Sequence, residues 1–587
     1  MRAGWLGWSV GLGSIVGCIM GCGGPARSSQ AGQPALLAGQ ATGPHASTSQ
    51  AWDELVQEYI EQSFERDPGF AVSQGRHDFD GKLADLSQAG LRQTVEQLTS
   101  QRARALAFGA QELDPVRAFE REYLLANADG ALFWLTRAKD PQRNPLFYSS
   151  AVDPSVYVTR NYAPLERRMK ACAAQLRGVP GVLRAMRDNL VAPLPRTHLA
   201  VASEVYGGLI SYIDKDVQQI FGVSGDTALK AELAAASQEA VAALRETLAY
   251  LDVEKARASD DFALGPDLFR EMLWATERVD TPLDRLAEIG NHDLERNLEA
   301  LQSACETLAP GKSLADCAAI VNADKPAAGP VAEARVQLVQ LKQFVAAREL
   351  VTIPGVEEAL VEEAPPHKRW NQAFIDIPGP YDIGQPSIYY IAPPDPKWSE
   401  AERMAYLPGV ADLLFISVHE VWPGHFLQFL HANRSERMLG RLFVGYAFAE
   451  GWAHYTEELM WEAGLSADPK VHVGQLLNAL LRNVRFMSAI GLHTQNMSVA
   501  ESERLFLEKA LQDPGNAKQQ AARGTFDPGY LNYTLGKLII RQLRDDWTAS
   551  RGGRSAYREF HDKLLSFGGP PLPLVRNAML GAPSAPL

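Results

Sequence analysis

The chain has 587 residues, 46% of them hydrophobic and 22% charged, with a mean hydropathy of -0.17. That is the composition of an ordinary globular protein, long enough for a large core and for two or three subdomains. A net charge of -13 argues against a nucleic-acid surface, which needs clustered basic residues, and otherwise serves solubility.

The first residues read as a targeting segment. Arg2 supplies a short positive region, Trp5 to Met20 is apolar and glycine-rich, and small residues precede a cysteine at Val16-Gly17-Cys18 and again at Met20-Gly21-Cys22. A secretory signal is one reading. A single span is disfavoured, because the apolar run is shorter than about 20 residues. The pattern resembles a bacterial lipoprotein signal, in which the cysteine is lipidated and becomes the new N-terminus. Residues 1–22 are then the signal, with Cys22 the first choice for lipidation and Cys18 the alternative. Residues 23–50, rich in Gly, Ser, Ala and Gln, form a flexible tether. The implied location is the cell envelope, lipid-anchored on the periplasmic side or the cell surface, with secretion as the alternative.

Residues 51–350 read as an N-terminal helical region. Trp52 to Ile60 already has apolar residues at helical spacing. Amphipathic stretches follow at 90–107, 114–138, 165–189, 198–221, 228–251, 282–307 and 329–350, separated by Pro, Gly or Asp. Cys305 and Cys317 flank the turn signal Pro310-Gly311. They read either as a local disulfide or as two free thiols on adjacent helices, and Cys172 as a small buried hydrophobe. The texture changes over 351–397, where prolines and β-formers rise. Segments 373–377 and 387–391 read as short strands of a small sheet, which could offer an edge to an extended peptide or be a structural hairpin. Residues 398–587 return to helical spacing and carry the chemistry. The fold class is therefore mainly α with a small β-sheet.

The most informative segment is His419-Glu420-Val421-Trp422-Pro423-Gly424-His425. It offers two imidazoles able to bind a metal and a carboxylate able to act as a base. In the common H-E-x-x-H spacing the two histidines lie roughly 40° apart around a helix and face one ion. Here the second histidine comes six residues on, roughly 240° away on an ideal helix. Both reach one ion only if the helix is broken or bulged between them. Pro423, with no N–H, and Gly424, with its conformational freedom, supply a means. The alternative is a helix that ends at Trp422 and restarts, leaving two unrelated histidines.

Two histidines need a third protein ligand. Glu450 is the best candidate, in a helical pattern where Glu450, His454 and Glu457 share one face; one could ligate and another orient a ligand. The alternative is a polar stripe facing water. His431 and His454 are lesser candidate ligands. His493 reads as a helix cap or surface residue, or as an oxyanion donor. Tyr533 reads as a core aromatic, or as an O–H donor to a tetrahedral intermediate.

These residues carry a resemblance. His419-Glu420-x-x-Pro423-Gly424-His425-x-x-Gln428, Glu450-Gly451-Trp452-Ala453-x-Tyr455-x-Glu457, Gly491-Leu492-His493 and Asp527-Pro528-Gly529-x-x-x-Tyr533-x-x-Gly536 occur in order. Together they resemble the DUF885 family, from about Trp52 to the C-terminus. The resemblance implies a gluzincin-like metallopeptidase architecture whose active-site helix bulges at Pro423-Gly424. It implies one zinc ion held by His419, His425 and Glu450, with Glu420 as general base and His493 and Tyr533 as transition-state donors. The expected activity is zinc-dependent peptide hydrolysis. The alternatives are another metal-dependent amide hydrolase acting on cell-envelope peptides, or a non-enzymatic envelope lipoprotein stabilised by its metal.

Overall fold

The computed structural model describes residues 44–581 and 587, apart from 365–368, 370, 371, 395 and 397. The signal, both of its cysteines and residues 23–43 lie outside the described residues. The first helix, Pro44–Arg66, takes up the last residues assigned to the tether.

The predicted amphipathic stretches form helices at Gln88–Ala107, Pro115–Leu132, Leu165–Asn189, Arg196–Tyr212, Thr227–Lys255, Leu283–Leu308 and Pro330–Ala347. Their starts are chemically marked. Ser87 accepts the N–H of Gly90, Asp114 those of Val116 and Arg117, and Asp226 that of Leu229, which satisfies donors a helix start leaves orphaned. Shorter helices escape the periodicity reading, Pro266–Glu277 and Leu314–Ala323 among them. Each is too short to repeat its apolar stripe often.

The apolar cores divide the chain differently from the division at residue 350. One core runs from Trp52 to Leu251 and takes in Leu439, Leu442 and Phe526. The other joins Phe269, Leu286, Leu301 and Leu341 to the C-terminal helices as far as Val575. Helix Leu283–Leu308 packs along Pro469–Thr494, so closely that a Cβ on Gly290 would lie 2.4 Å from the Phe486 ring. An amphipathic stripe specifies that a face is buried, not which neighbour buries it. Cys305 and Cys317 form a disulfide, tying the end of Leu283–Leu308 to Leu314–Ala323, and Cys172 is buried and free.

The sheet has three strands, β1 (Ala359–Glu363), β2 (Ala373–Asp376) and β3 (Ser387–Ile391), in the order β1-β3-β2. β1 runs parallel to β3 and β2 antiparallel to it. β3 is thus the central strand, and β2 is the edge that packs against Val410–Glu420. Among the described residues no single helix is long and apolar enough to cross a membrane.

Six helices build the site: α1 (Val410–Glu420), α2 (His425–Ala432), α3 (Tyr446–Glu462), α4 (Pro469–Thr494), α5 (Pro514–Phe526) and α6 (Asn532–Thr548). Helices α3 and α6 cross with backbones in contact. A Cβ on Gly451 would lie 2.4 Å from the Gly536 Cα, and one on Gly536 would lie 1.9 Å from the Ala447 carbonyl oxygen. Backbone at that distance cannot yield as a side chain would. Gly451→Ala is therefore expected to destabilise the fold by about 3 kcal/mol, the upper part of the usual overpacking range, as a lowered denaturant midpoint. Gly208→Ala, in a helix and with nothing within 4 Å of its Cβ, should be neutral or stabilising by up to about 1 kcal/mol.

Candidate metal centre

Helix α1 is an apolar core helix whose last two residues are His419 and Glu420. Regular helical geometry is interrupted at Pro423-Gly424, where the resemblance implied a bulge. Helix α1 ends, and α2 begins at His425 after four non-helical residues that include a cis Trp422-Pro423 bond. The break is compact. The Gly424 N–H donates to the Val418 carbonyl at 3.0 Å, and a Cβ on Gly424 would lie 1.8 Å from the His419 carbonyl oxygen. Only glycine fits there. The indole of Trp452 on α3 donates to the Pro423 carbonyl at 2.9 Å and holds the turn from outside.

This turn brings the two histidines together, with ring centroids 4.8 Å apart and nearly perpendicular. The separation of roughly 240° on an ideal helix is removed by starting a second helix. From α3, Glu450 Oε2 lies 3.2 Å from His419 Nε2 and 3.4 Å from His425 Nε2. His419, His425 and Glu450 are all buried, and their ligand atoms lie within 4.8 Å of one another. The lesser candidates do not join them. His431 Nε2 bonds to the Thr352 carbonyl at 2.8 Å. His454 is wholly buried beside Glu457, and its burial lowers its pKa to about 4, which leaves it neutral.

The donor set fits a divalent metal. Glu457, one face-step along α3, approaches His419 Nδ1 at 2.7 Å. Placing the proton on that nitrogen leaves Nε2 with its lone pair aimed at Glu450 Oε2. Glu450 Oε2 and His425 Nδ1 are buried without a hydrogen-bond partner. A lone pair and a carboxylate oxygen face each other comfortably only with a cation between them. Without metal a proton serves: burial would lower the His419 pKa, but the neighbouring carboxylates of Glu450 and Glu457 outweigh it and push it up to about 9. Glu450 is held well below the usual carboxylate range, the imidazoles overcoming its burial. Glu457 is likewise held low against burial, chiefly by Arg482, whose Nη2 lies 3.0 Å away.

Glu420 stands beside the triad without belonging to it. Its Oε2 accepts the Ile375 N–H of β2 at 3.1 Å. Burial raises its pKa, only partly offset by the two histidines, so the carboxylate is more basic than one in water. Tyr533, on α6, faces the same space. Its ring lies nearly parallel to that of His419 at 6.3 Å, with the guanidinium of Arg485 4.8 Å from its centroid. All these groups line one cavity of about 1920 Å³ between the two cores.

His493 is the correction among the expected site residues. It does not line this cavity. Its Nε2 bonds to the Gly524 carbonyl at 2.7 Å, its Nδ1 accepts the Leu264 N–H at 3.3 Å, and its ring stacks on Phe269. Both nitrogens are committed to backbone, and burial lowers the pKa to about 4. It ties α4 to α5 as a neutral packing residue and has no proton to offer an oxyanion. Conversely, Arg482, Arg485 and Arg523 line the cavity, and no sequence motif points to them. The available signal is an Arg pair three residues apart on one helix.

Glu450→Ala removes the third ligand, and the dialysed variant should retain less than about a tenth of the wild-type metal. Glu457→Gln keeps its shape but weakens the hold on His419, and affinity should fall about 10–100-fold. Metal content after dialysis against a graded chelator measures both. Unchanged stoichiometry in Glu450→Ala would place the metal elsewhere.

A family model, described as a bacterial protein of unknown function (DUF885), matches residues 68–579. No curated protein matches the chain. Two solved structures, each described as a "putative lipoprotein", share the fold. The one from Shewanella oneidensis, of unknown function, has a TM-score of 0.74 at 23% identity and covers 91% of this chain and 99% of its own. The one from Colwellia psychrerythraea has a TM-score of 0.77 at 16% identity, with the same coverage. Matched to the family model over most of its length, the chain belongs to the DUF885 family.

Proposed function

We propose that the protein is a zinc-dependent peptidase of gluzincin-like type. The observation that carries this reading is Glu420, a buried carboxylate of raised pKa that lies outside the group of three candidate ligands and lines the same large cavity. A structural zinc site fills its four positions with protein and has no use for a base. Two imidazoles and one carboxylate are a donor set of catalytic zinc sites, and zinc bound there would supply a Lewis acid and a water of lowered pKa.

The chain's own residues account for the remaining work. Glu420 takes a proton from the attacking water and passes it to the leaving nitrogen. The water's hydroxyl joins the carbonyl carbon and the C–N bond breaks, so a carboxylic acid and an amine result. Tyr533 donates its O–H to the carbonyl oxygen as that oxygen gains charge. The edge strand β2 holds the substrate: the Ile375 N–H already points at Glu420, and an extended peptide laid along that edge would run past the base.

The lipoprotein descriptions of the two structural relatives, with the cysteine pattern at residues 16–22, support a lipid-anchored place in the bacterial envelope. Cys22→Ala should abolish incorporation of labelled fatty acid in a bacterial host. Loss in Cys18→Ala instead would move the anchor four residues.

Glu420→Gln removes the base and keeps the size of the side chain. Peptide hydrolysis by the metal-loaded variant should fall about 10²–10⁴-fold, with metal content unchanged. Full activity in that variant would assign the base wrongly.

A further inference from the structure

Three arginines converge on Tyr533, and two of them are matched. Arg482 pairs with Glu457 at 3.0 Å and Arg523 with Asp527 at 2.8 Å. Arg485 is not matched. Its Nε donates to the Gln520 side chain at 2.9 Å, and among the described residues no carboxylate lies within ion-pair distance of it. Its two terminal nitrogens carry no hydrogen bond to a described residue, and the residue lines the cavity that His419, Glu420 and Glu450 also line. The residue is only 8% exposed. Burial and the like charge of Arg523 both act against its charge, yet a guanidinium does not give up its proton in a protein.

A buried, permanent cation without a counter-ion is costly to the folded protein. In a substrate cavity it becomes useful when an anion arrives, because it is already desolvated and oriented. A guanidinium with both terminal nitrogens free matches a carboxylate in planar, two-bonded geometry. Its position limits which carboxylate. The Tyr533 ring lies 6.3 Å from the His419 ring and 4.8 Å from the Arg485 guanidinium, so these groups are separated by at most roughly 11 Å, the length of about three extended residues.

We propose that Arg485 binds the free α-carboxylate of the substrate, so that the enzyme is a carboxy-terminal exopeptidase that releases a fragment of one to three residues. This rests on the peptidase reading above and adds the substrate class and the end of the chain attacked. Gln520 holds Arg485 in orientation, and Tyr533 beneath the guanidinium fixes its plane by cation–π contact.

The test uses N-acetyl-tetraalanine as free acid and as C-terminal amide, with a third peptide, also amidated, ending in glutamate. Cleavage by the metal-loaded full chain is followed by mass spectrometry, and binding to metal-loaded Glu420→Gln by calorimetry. The free acid should be cleaved near its carboxyl end and should bind at least 30-fold tighter than the amide. In Arg485→Gln, and in the Glu420→Gln/Arg485→Gln pair, acid and amide should become equal, and Arg485→Lys should restore part of the preference. The readout is a ratio within each variant, so partial loss of folded protein does not imitate it. Equal handling of acid and amide by the wild type, or a preference that survives in Arg485→Gln, overturns the assignment. A glutamate-ending amide that matches the free acid also overturns it, in favour of a side-chain carboxylate. If no peptide is cleaved, the peptidase reading fails, while the acid-to-amide binding ratio still decides what Arg485 recognises; if none binds, both fall.

Discussion

The site depends on one close approach: the Gly424 backbone lies against the carbonyl of His419, where a Cβ would come within 1.8 Å. Chain continuity over six residues would put His425 on the far side of the helix from His419. The fold interrupts the helix for four residues and resumes helical geometry at His425. This works only because residue 424 has no side chain and because Trp452 on α3 takes the Pro423 carbonyl. The same helix supplies Glu450 and Glu457. Closing the break and delivering the third ligand are thus one packing event, made possible by the contact of Gly451 with Gly536 that draws α3 against α6.

Behind the ligands lies a second polar layer. Asp293 accepts from Lys537 at 2.5 Å and from Asn483 at 2.7 Å, and pairs with Arg296 at 2.8 Å. Arg296 also reaches Glu458, the neighbour of Glu457. Lys537 is completely buried and Asp293 nearly so; burial opposes the charge on Asp293, but Lys537 and Arg296 hold it ionised. Such a network adds little net stability compared with apolar packing of the same volume, but losing one member strands another charge in the interior. It connects α3, α4, α6 and helix Leu283–Leu308. That gives a physical reason why Leu283–Leu308 belongs with the C-terminal helices.

Much of this was legible in the sequence. Long stripes at helical spacing predict helices because burial of one face dominates helix stability in proteins. The ligand triad follows from residue chemistry once the chain break is allowed. Other features depend on distant partners and left no local trace. Strand β1 holds two glutamates in five residues and forms because β3 pairs with it in parallel. His493 ends a buried helix with the same sequence whether its nitrogens meet a substrate or, as here, the Gly524 carbonyl and the Leu264 N–H. Arg485 looks like any helical arginine until its missing counter-ion is visible in three dimensions.

The division into two cores also has a consequence for chemistry. The cavity is walled on one side by first-core residues such as Tyr59 and Tyr123 and on the other by the metal ligands. Its volume exceeds the 300–1,000 Å³ usual for a small-molecule pocket and suits several residues of extended chain. The strand that meets Glu420 is itself fixed from the first core: Arg160 pairs with Asp376, next to Ile375, at 2.9 Å and donates to the Ser73 carbonyl at 2.7 Å. Glu420 is therefore positioned from both sides, by α1 through its own backbone and by β2 through the Ile375 N–H. Ala373 and Ile375 of β2 pack against the second core, the one whose helices carry His419, His425 and Glu450, so Glu420 and the strand beside it belong to the same core as the candidate ligands. The candidate metal site and the strand beside it are thus local to one core, and Arg160 ties that strand to the other.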